Sequence, residues 1–173
     1  HVKGGLGVVM TVTCCFFGAI SGSATATTSA IGGTMIPEMK ENGYPAPFCS
    51  ALAATAGIIG IIIPPSIAFV IYGVITNTSV SDLFLAGIIP GIVITIVLSG
   101  LCIWVAVKED IPTVPRQTWK QRGKAFWEAK WSILAPVIIL GGIYSGWFTP
   151  TEAAVVAIVY SIIIGMFVYK EFT

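Results

Sequence analysis

The sequence predicts an all-α membrane protein that contains a re-entrant helical hairpin and an interrupted transmembrane helix. Of its 173 residues, 55% are hydrophobic and 10% are charged, whereas soluble domains carry about 25% charged residues. No Lys, Arg, Asp or Glu lies between Lys3 and Glu38, between Glu41 and Asp82, or between Asp82 and Lys108. The first gap is rich in small residues and the second contains a Pro-Pro pair, so neither fits a simple straight span.

The first predicted element is the hairpin, over about residues 6–36. Its apolar arms, residues 6–20 and 24–36, would rise only ~20–22 Å as helices, against a hydrocarbon core of ~30 Å. Residues 18–29 are rich in Gly, Ala, Ser and Thr. Backbone that turns near the midplane needs hydrogen-bond partners from protein or from a water-filled cavity. The hairpin tip is therefore a candidate solute site.

The second element is the interrupted helix, over about residues 45–76. A straight helix of this length would run to ~50 Å and overshoot the bilayer. Residues 63–66 read Ile-Pro-Pro-Ser. Pro64 and Pro65 have no N–H to donate and would free the carbonyls of Gly60 and Ile61, so the helix is expected to break there.

The third element is a transmembrane helix over residues 83–107. Its length is sufficient to span the bilayer with some tilt. Gly87, Pro90 and Gly91 stand near its start. We expect this small-residue face to pack closely against a neighbouring helix.

The polar connection over residues 108–131 is predicted to be cytoplasmic. Between Lys108 and Lys130 it holds six basic residues and three acidic ones, and cytoplasmic loops carry an excess of Lys and Arg. Counting crossings backwards places residues 77–82 outside and residues 38–43 inside. Lys3 is then also inside only if the hairpin turns back without crossing.

Aromatic residues in this connection predict a helix that lies in the membrane interface. At 100° per residue, they fall within an arc of about 140°: Trp119, Phe126, Trp127 and Trp131. Lys120 and Lys130 fall in the same arc and would have to snorkel. A plain loop that contains tryptophans is the alternative.

The last stretch, residues 132–173, predicts an antiparallel pair of transmembrane helices over residues 132–148 and 151–169. They turn outside the membrane at residues 147–150. Thr149 and Glu152 have the spacing of a capping box, with Pro150 at the first helical position. We therefore expect Glu152 to be a structural cap.

The chemistry expected of the two broken elements is Na⁺ binding by uncharged oxygen atoms. Hairpin hydroxyls and carbonyls freed at a helix break are suitable ligands, although hydroxyls in membrane helices often bond to their own backbone instead. The candidate Na⁺ ligands are Ser21, Ser23, Gly57, Gly60 and Ser66. The wider candidate site adds the tip and the break: Gly22, Thr25, Thr28, Thr55, Pro64 and Pro65.

Other function classes fit the sequence less well. An intramembrane serine hydrolase is disfavoured because Ser21 has no histidine or internal lysine in this chain to act as its base. The basic residues form no stripe for nucleic acid, and Cys14, Cys15, Cys49 and Cys102 are interpreted as packed thiols since they form no C-x-x-C pair. A hydroxyl-lined channel remains an alternative.

Eight short motifs, taken in order, resemble the large membrane subunit of TRAP (tripartite ATP-independent periplasmic) transporters. They cover nearly the whole chain: GGLG at 4–7, FGAISGSA at 17–24, IPEM at 36–39, GY at 43–44, IIPPS at 62–66, IYG at 71–73, LFLAGIIPG at 83–91 and FTPTEAA at 148–154. The chain also begins without an initiator methionine. We therefore expect it to be part of a longer protein.

The resemblance implies a Na⁺-driven importer of organic acids, such as C4-dicarboxylates or sialic acid, in a bacterial or archaeal inner membrane. Its partners would be a small membrane subunit and a periplasmic substrate-binding protein, with Na⁺ as the coupling ion and no other cofactor. A stand-alone Na⁺-coupled carboxylate carrier of similar fold is the alternative.

The resemblance also implies an elevator-type fold of inverted repeats, of which this chain is a fragment. Residues 1–107 would belong to the first repeat, residues 108–131 would connect the repeats, and residues 132–173 would begin the second. By the same resemblance, Ser21, Gly22 and Ser23 and the break between Thr55 and Ser66 form the ion and substrate region. Thr27 is a departure, because many members of this family carry Asp at that position.

Overall fold

A computed structural model describes residues 2–113 and 118–169 and forms two compact units, His1–Arg116 and Gln117–Thr173. The described residues form α-helices and one π-helical turn. The first unit contains α1 (Gly5–Ser21), α2 (Ala24–Glu41), α3 (Ala46–Gly57), α4 (Ile59–Ile62), α5 (Ile67–Thr76) and α6 (Val80–Lys108). The second contains α7 (Trp119–Tyr144) and α8 (Pro150–Ile163), which continues into the π-helical turn Ile164–Tyr169. Arg116 and residues 170–173 of the predicted segments lie outside the described residues.

The predicted hairpin is present as α1 and α2. Gly22 ends α1 in the left-handed conformation, with φ of 61°, and Ser23 begins α2 by accepting a hydrogen bond from the backbone of Ala26. Arm α2 continues to Glu41, past the predicted end at residue 36. The extension follows from packing, since Met39 is fully buried in the core.

The two arms run antiparallel and return to the same end of the first unit. Lys3, before α1, donates to the carboxylate of Asp110, after α6, at 2.5 Å. Gly43, after α2, packs against Pro112. The pKa of Asp110 is lowered because the Lys3 ammonium bonds to its carboxylate. The hairpin therefore begins and ends at the same end of the first unit, as predicted for a re-entrant hairpin. The depth that it reaches in a membrane stays a prediction.

The interrupted helix breaks where the Pro-Pro pair predicts. The helical runs Ala46–Ile62 and Ile67–Thr76 meet at a bend of 42°. A turn at Ile58 further divides the first run into α3 and α4. Ser66 caps the start of α5 by accepting a hydrogen bond from the backbone N–H of Phe69.

Helix α6 confirms the close packing expected of its glycines. A Cβ on Gly87 would lie 2.5 Å from the carbonyl oxygen of Ile62, and one on Gly91 would meet the side chain of Ile63. The helix break therefore lies beside the first half of α6, nearer to Val80 than to Lys108.

In the second unit, the predicted boundary between residues 131 and 132 falls inside a helix, while its role as the border between the connection and the second repeat stays a prediction. A single helix, α7, runs through it from Trp119 to Tyr144. Nothing in the sequence around Trp131 and Ser132 interrupts a helix, since Pro136 is the first proline of α7. The plain-loop alternative is thus excluded for residues 119–131, whereas an orientation in the membrane interface stays a prediction.

The aromatic residues expected in the interface lie on the first half of α7. Trp119, Phe126 and Trp127 are 76%, 64% and 68% exposed, and Trp131 is half-buried.

The capping box at α8 is confirmed, since the Thr149 N–H donates to Glu152 at 2.8 Å and the Glu152 N–H donates to the Thr149 hydroxyl.

Three described helical segments are long and apolar enough to cross a membrane: Val80–Lys108, Trp119–Tyr144 and Pro150–Tyr169. The bent pair Ala46–Ile62 and Ile67–Thr76 is a fourth if it forms one span. The described residues therefore form an all-helical structure with several candidate membrane spans. The core of the first unit lies among α1, α2, α3, α4 and α6 and includes Met10, Cys14, Met39, Cys49, Leu52, Ile59 and Cys102.

Candidate functional site

The hairpin tip and the helix break touch each other. The backbone N–H of Ile67 donates to the carbonyl of Gly22 at 3.3 Å. A Cβ on Gly22 would lie 2.8 Å from the carbonyl oxygen of Pro65 and would also require an L side chain at positive φ. Glycine is therefore needed at the tip for the turn and for the close approach of the break.

Glycines also bring the backbone at the end of α3 and in α4 against the hairpin. A Cβ on Gly18 would lie 2.6 Å from the Cα of Gly60. On the other side, a Cβ on Gly60 would clash with the hydroxyl of Thr27, and one on Gly57 would clash with that of Thr28. These contacts assign Gly57 and Gly60 a packing role, and their role as carbonyl ligands stays a prediction.

A chain of hydroxyl groups runs through the tip and centres on Thr27. The buried Thr27 hydroxyl donates to the carbonyl of Ser23 at 2.8 Å and lies 3.1 Å from the hydroxyl of Ser21. Because the Thr27 proton is already used, Ser21 is the donor in the second bond. Ser21 and Ser23 are half-buried, and Ser23 lies 3.1 Å from the exposed Thr25 hydroxyl. Each of the two serine oxygens also accepts one backbone hydrogen bond, Ser21 from the N–H of Ser23 and Ser23 from the N–H of Ala26, both at 3.4 Å.

Ser66 is buried, and its hydroxyl stabilises the break. It donates to the freed carbonyl of Ile61 at 2.7 Å and accepts from the backbone of Phe69 at 3.4 Å. Only one lone pair of this oxygen is left for another partner. Replacement of Ser66 would therefore disturb the cap as well as any ion bound there.

Thr55 is placed differently from the other candidate residues. It is exposed, and its hydroxyl donates to the carbonyl of Ala51 at 2.8 Å. This is the local bond to the i−4 carbonyl that hydroxyls in helices commonly make. Thr55 makes no contact with the tip among those described, and Pro64 is fully buried at the break. The structure brings the other candidates into the contacts above: Ser21, Gly22, Ser23, Thr25, Thr28, Gly57, Gly60, Pro65 and Ser66.

We call the contact between the hairpin tip and the helix break the junction. Its electrostatic field comes from helix ends. The N-termini of α2 and α5 and the C-termini of α1 and α4 all lie at the contact between tip and break. No charged residue lies within these helix ends, because the sequence has none from residue 4 to 37 or from 42 to 81. Helix N-termini favour anions and C-terminal carbonyls favour cations. The junction is therefore suited to a carboxylate and a small cation together.

Thr27 is not among the candidate ligands that the sequence suggests, although its hydroxyl lies at the centre of the network. The signal for it is its spacing, because a residue four positions after the cap Ser23 lies on the same face of α2. What the spacing does not show is that this face packs against Gly60.

A separate cleft of about 440 Å³ lies in the second unit, at the turn between α7 and α8. Its lining is almost entirely apolar and includes Val137, Ile138, Trp147 and Phe148. The hydroxyl of its Ser145 already donates to the carbonyl of Gly142 at 3.1 Å. The cleft therefore offers little chemistry for an organic acid.

Comparison with known families gives a match along the entire chain. Residues 1–173 match the family described as the tripartite ATP-independent periplasmic transporter, DctM component. The chain is 43% identical over 171 residues to the ectoine/5-hydroxyectoine TRAP transporter large permease protein UehC of Ruegeria pomeroyi, a match that covers 99% of this chain and 40% of that protein.

Two further relatives show similar likeness. The sialic acid TRAP transporter permease protein SiaT of Haemophilus influenzae is 46% identical over 173 residues, covering 100% of this chain and 28% of the relative. The C4-dicarboxylate TRAP transporter large permease protein DctM of Pseudomonas aeruginosa is 44% identical over 171 residues, covering 99% and 40%. This chain thus spans less than half the length of each of these relatives.

Proposed function

The chain belongs to the DctM component family of tripartite ATP-independent periplasmic transporters, and from that premise we propose that it is part of the large permease subunit of a Na⁺-coupled importer of organic acids. The observation that carries this proposal is the contact between Gly22 at the hairpin tip and Ile67 at the helix break. In an uncharged region, it brings together the helix ends that a transporter uses to hold an anion and its coupling cation.

The proposed Na⁺ ligands are the hydroxyls of Ser21 and Ser23, with backbone carbonyls from the break. Ser21 donates to Thr27 and accepts from the backbone N–H of Ser23 at 3.4 Å, and Ser23 accepts from the backbone N–H of Ala26, so each hydroxyl oxygen keeps one lone pair for a cation. Gly57, Gly60 and Ser66 remain in the proposed set, with Ser66 limited by its bonds to Ile61 and Phe69. The carboxylate is proposed to bind at the N-termini of α2 and α5.

The proposed substrate is a C4-dicarboxylate, sialic acid or a similar carboxylate. The names of relatives include C4-dicarboxylate, sialic acid, ectoine and isethionate. Since the hairpin tip and the break carry no charged side chain, selection among such acids is assigned to parts of the site supplied by the rest of the protein.

The proposed assembly contains a small membrane subunit and a periplasmic substrate-binding protein, in a bacterial or archaeal inner membrane. Movement is proposed to be of the elevator type, with hairpin and broken helix moving as one body. The glycine contacts of Gly18, Gly57 and Gly60 support this, because they leave no space in which the hairpin could slide past α4. Family membership favours this assembly over a stand-alone carrier or a channel.

The test is uptake by the full-length permease, reconstituted in proteoliposomes with its small subunit. Radiolabelled C4-dicarboxylate and sialic acid are supplied under an inward Na⁺ gradient, with and without the substrate-binding protein. We expect uptake of one acid only when both the gradient and the binding protein are present. Robust uptake without the binding protein would support the stand-alone carrier, and large passive ion currents would support the channel.

A further inference from the structure

The first half of α7 carries a surface on which basic and aromatic side chains alternate. At 100° per residue, its members fall within about half of the helix circumference; we name them the basic–aromatic face: Trp119, Lys120, Arg122, Trp127, Lys130 and Trp131. The acid of this helix, Glu128, lies outside that arc and is paired with Lys124 at 3.7 Å. The face is therefore strongly basic. We propose that it binds the headgroup of an anionic phospholipid.

Two of the three cations of this face lie over aromatic rings. The Lys130 ammonium lies 3.5 Å from the ring centre of Trp127 and 5.0 Å from that of Trp131. The Arg122 guanidinium lies 5.3 Å from the ring centre of Trp119. In the part of the chain that the structure describes, Lys120, Arg122 and Lys130 form no salt bridge. The face therefore presents ordered positive charges that a phosphate group can neutralise.

The position of the face along α7 is that expected of a membrane surface. The helix continues without a break from Lys130 into the apolar run of residues 133–144 and is one of the candidate spans. Tryptophan side chains concentrate at the level of lipid headgroups, and basic residues beside them attract anionic lipid. A soluble acidic partner would have to reach the same charges among the headgroups, so a lipid is the occupant that the geometry favours.

Contacts with α8 and the π-helical turn hold this part of α7 in place. The Tyr160 hydroxyl donates to the carbonyl of Trp131 at 2.7 Å, and the Tyr169 hydroxyl donates to that of Glu128 at 3.1 Å. These bonds are on the backbone of α7 and do not occupy the basic side chains. The face is thus presented in one orientation, which favours a defined headgroup over diffuse attraction.

The experiment measures which lipid stays bound to the purified full-length transporter. The protein is equilibrated in detergent with equal amounts of phosphatidylglycerol and phosphatidylcholine, and the retained lipids are counted by native mass spectrometry. We expect phosphatidylglycerol to be preferred. Removal of charge in the triple variant Lys120→Gln, Arg122→Gln, Lys130→Gln should reduce this preference about fivefold for each residue replaced.

The matched control is Lys124→Gln, which removes the same charge from the same helix; the Lys124 ammonium is already paired with Glu128, whereas Lys120, Arg122 and Lys130 form no salt bridge among the described residues. It should keep the preference within about twofold of the native protein. Equal retention of both lipids by the native protein, or an unchanged preference in the triple variant, would overturn the proposal.

Two measurements on the native protein keep the test independent of variant folding. Raising NaCl from about 50 to 500 mM should weaken retention of phosphatidylglycerol, because salt screens exposed charges. Retention of phosphatidylglycerol that does not change with NaCl concentration would contradict the proposal. Displacement of the lipid by millimolar inorganic phosphate would also contradict it, since the face would then be a site for a soluble anion.

Discussion

Replacement of Gly18 by alanine tests the packing of the hairpin against the broken helix. The new Cβ would lie 2.6 Å from the Cα and 3.2 Å from the backbone nitrogen of Gly60, whereas ordinary contacts are 3.4–4 Å. Because the obstacle is backbone, no side-chain rotation can relieve it. Helix α4 would have to move away from α1 by about 1 Å.

The expected cost follows from two opposing effects. Overpacking a core costs ~1–3 kcal/mol, and we expect the upper end because the contact is with backbone. Alanine is also a better helix former than glycine by about 1 kcal/mol. The net loss of stability for Gly18→Ala is therefore about 2 kcal/mol.

The matched control is Gly33→Ala in the other arm of the hairpin. A Cβ added to Gly33 would meet no atom within 4 Å in this chain, so only the gain in helix propensity of about 1 kcal/mol remains. The assay is the thermal unfolding midpoint of the full-length transporter in detergent. We expect the midpoint to fall for Gly18→Ala and not for Gly33→Ala. Equal midpoints for the two variants would refute the close contact between α1 and α4.

Further predictions concern the helix ends and the topology. Asp110→Asn should lower the thermal unfolding midpoint at neutral pH. Lys3 lowers the pKa of Asp110 in the folded protein, so the ion pair stabilises the fold above the usual pKa range of a carboxyl group, and this stabilisation is lost as pH falls through the folded pKa. The difference in midpoint between Asp110→Asn and the native protein should therefore vanish in acid. Thr149→Ala should lower stability by ~1 kcal/mol in the same melts because it removes the cap, whereas Thr149→Ser should retain it. In a background without native cysteines, a cysteine at Asn77 should react with an impermeant thiol reagent from the periplasm, and one at Gln121 only after permeabilisation; labelling of both from one side would contradict the topology.

Local chemistry made several elements predictable. The Pro-Pro pair removes two N–H donors, so the break before Ser66 follows from covalent structure alone. The capping box of Thr149 and Glu152 is equally local, because its bonds join residues three positions apart. The small size of Gly87 and Gly91 also predicted that this part of α6 packs closely against another helix. The sequence did not identify the residues of that helix, which are Ile62 and Ile63.

Features that depend on distant contacts could not be predicted in this way. The extension of α2 to Glu41 depends on the burial of Met39, and the pairing of Lys3 with Asp110 joins the two ends of the first unit. The continuity of α7 was missed because its composition changes from polar to apolar near Ser132 while its helical backbone does not change. The position of Thr27 at the centre of the hydroxyl network depends on its packing against Gly60, and no spacing in the sequence identifies that contact.

The same distinction applies to the candidate site. Its hydroxyl groups and its broken helices were visible in the sequence, and the structure adds which of them meet. Ser21 and Ser23 lie in the network around Thr27, whereas Thr55 bonds to its own helix and Ser66 closes the break. The hairpin serines are therefore the residues on which the Na⁺ proposal should be tested.

The most direct measurement is the Na⁺ dependence of uptake for Ser21→Ala and Ser23→Ala in the reconstituted full-length transporter. Loss of a ligand hydroxyl should remove about 1.4–2.8 kcal/mol of ion binding, within the cost of an unsatisfied buried polar partner. The Na⁺ concentration for half-maximal uptake should then rise about 10- to 100-fold, while Thr113→Ala, in the exposed segment after α6, should leave it unchanged. If both serine variants keep the native Na⁺ dependence, the hydroxyl-rich tip is a packing device and the proposed ion site is wrong.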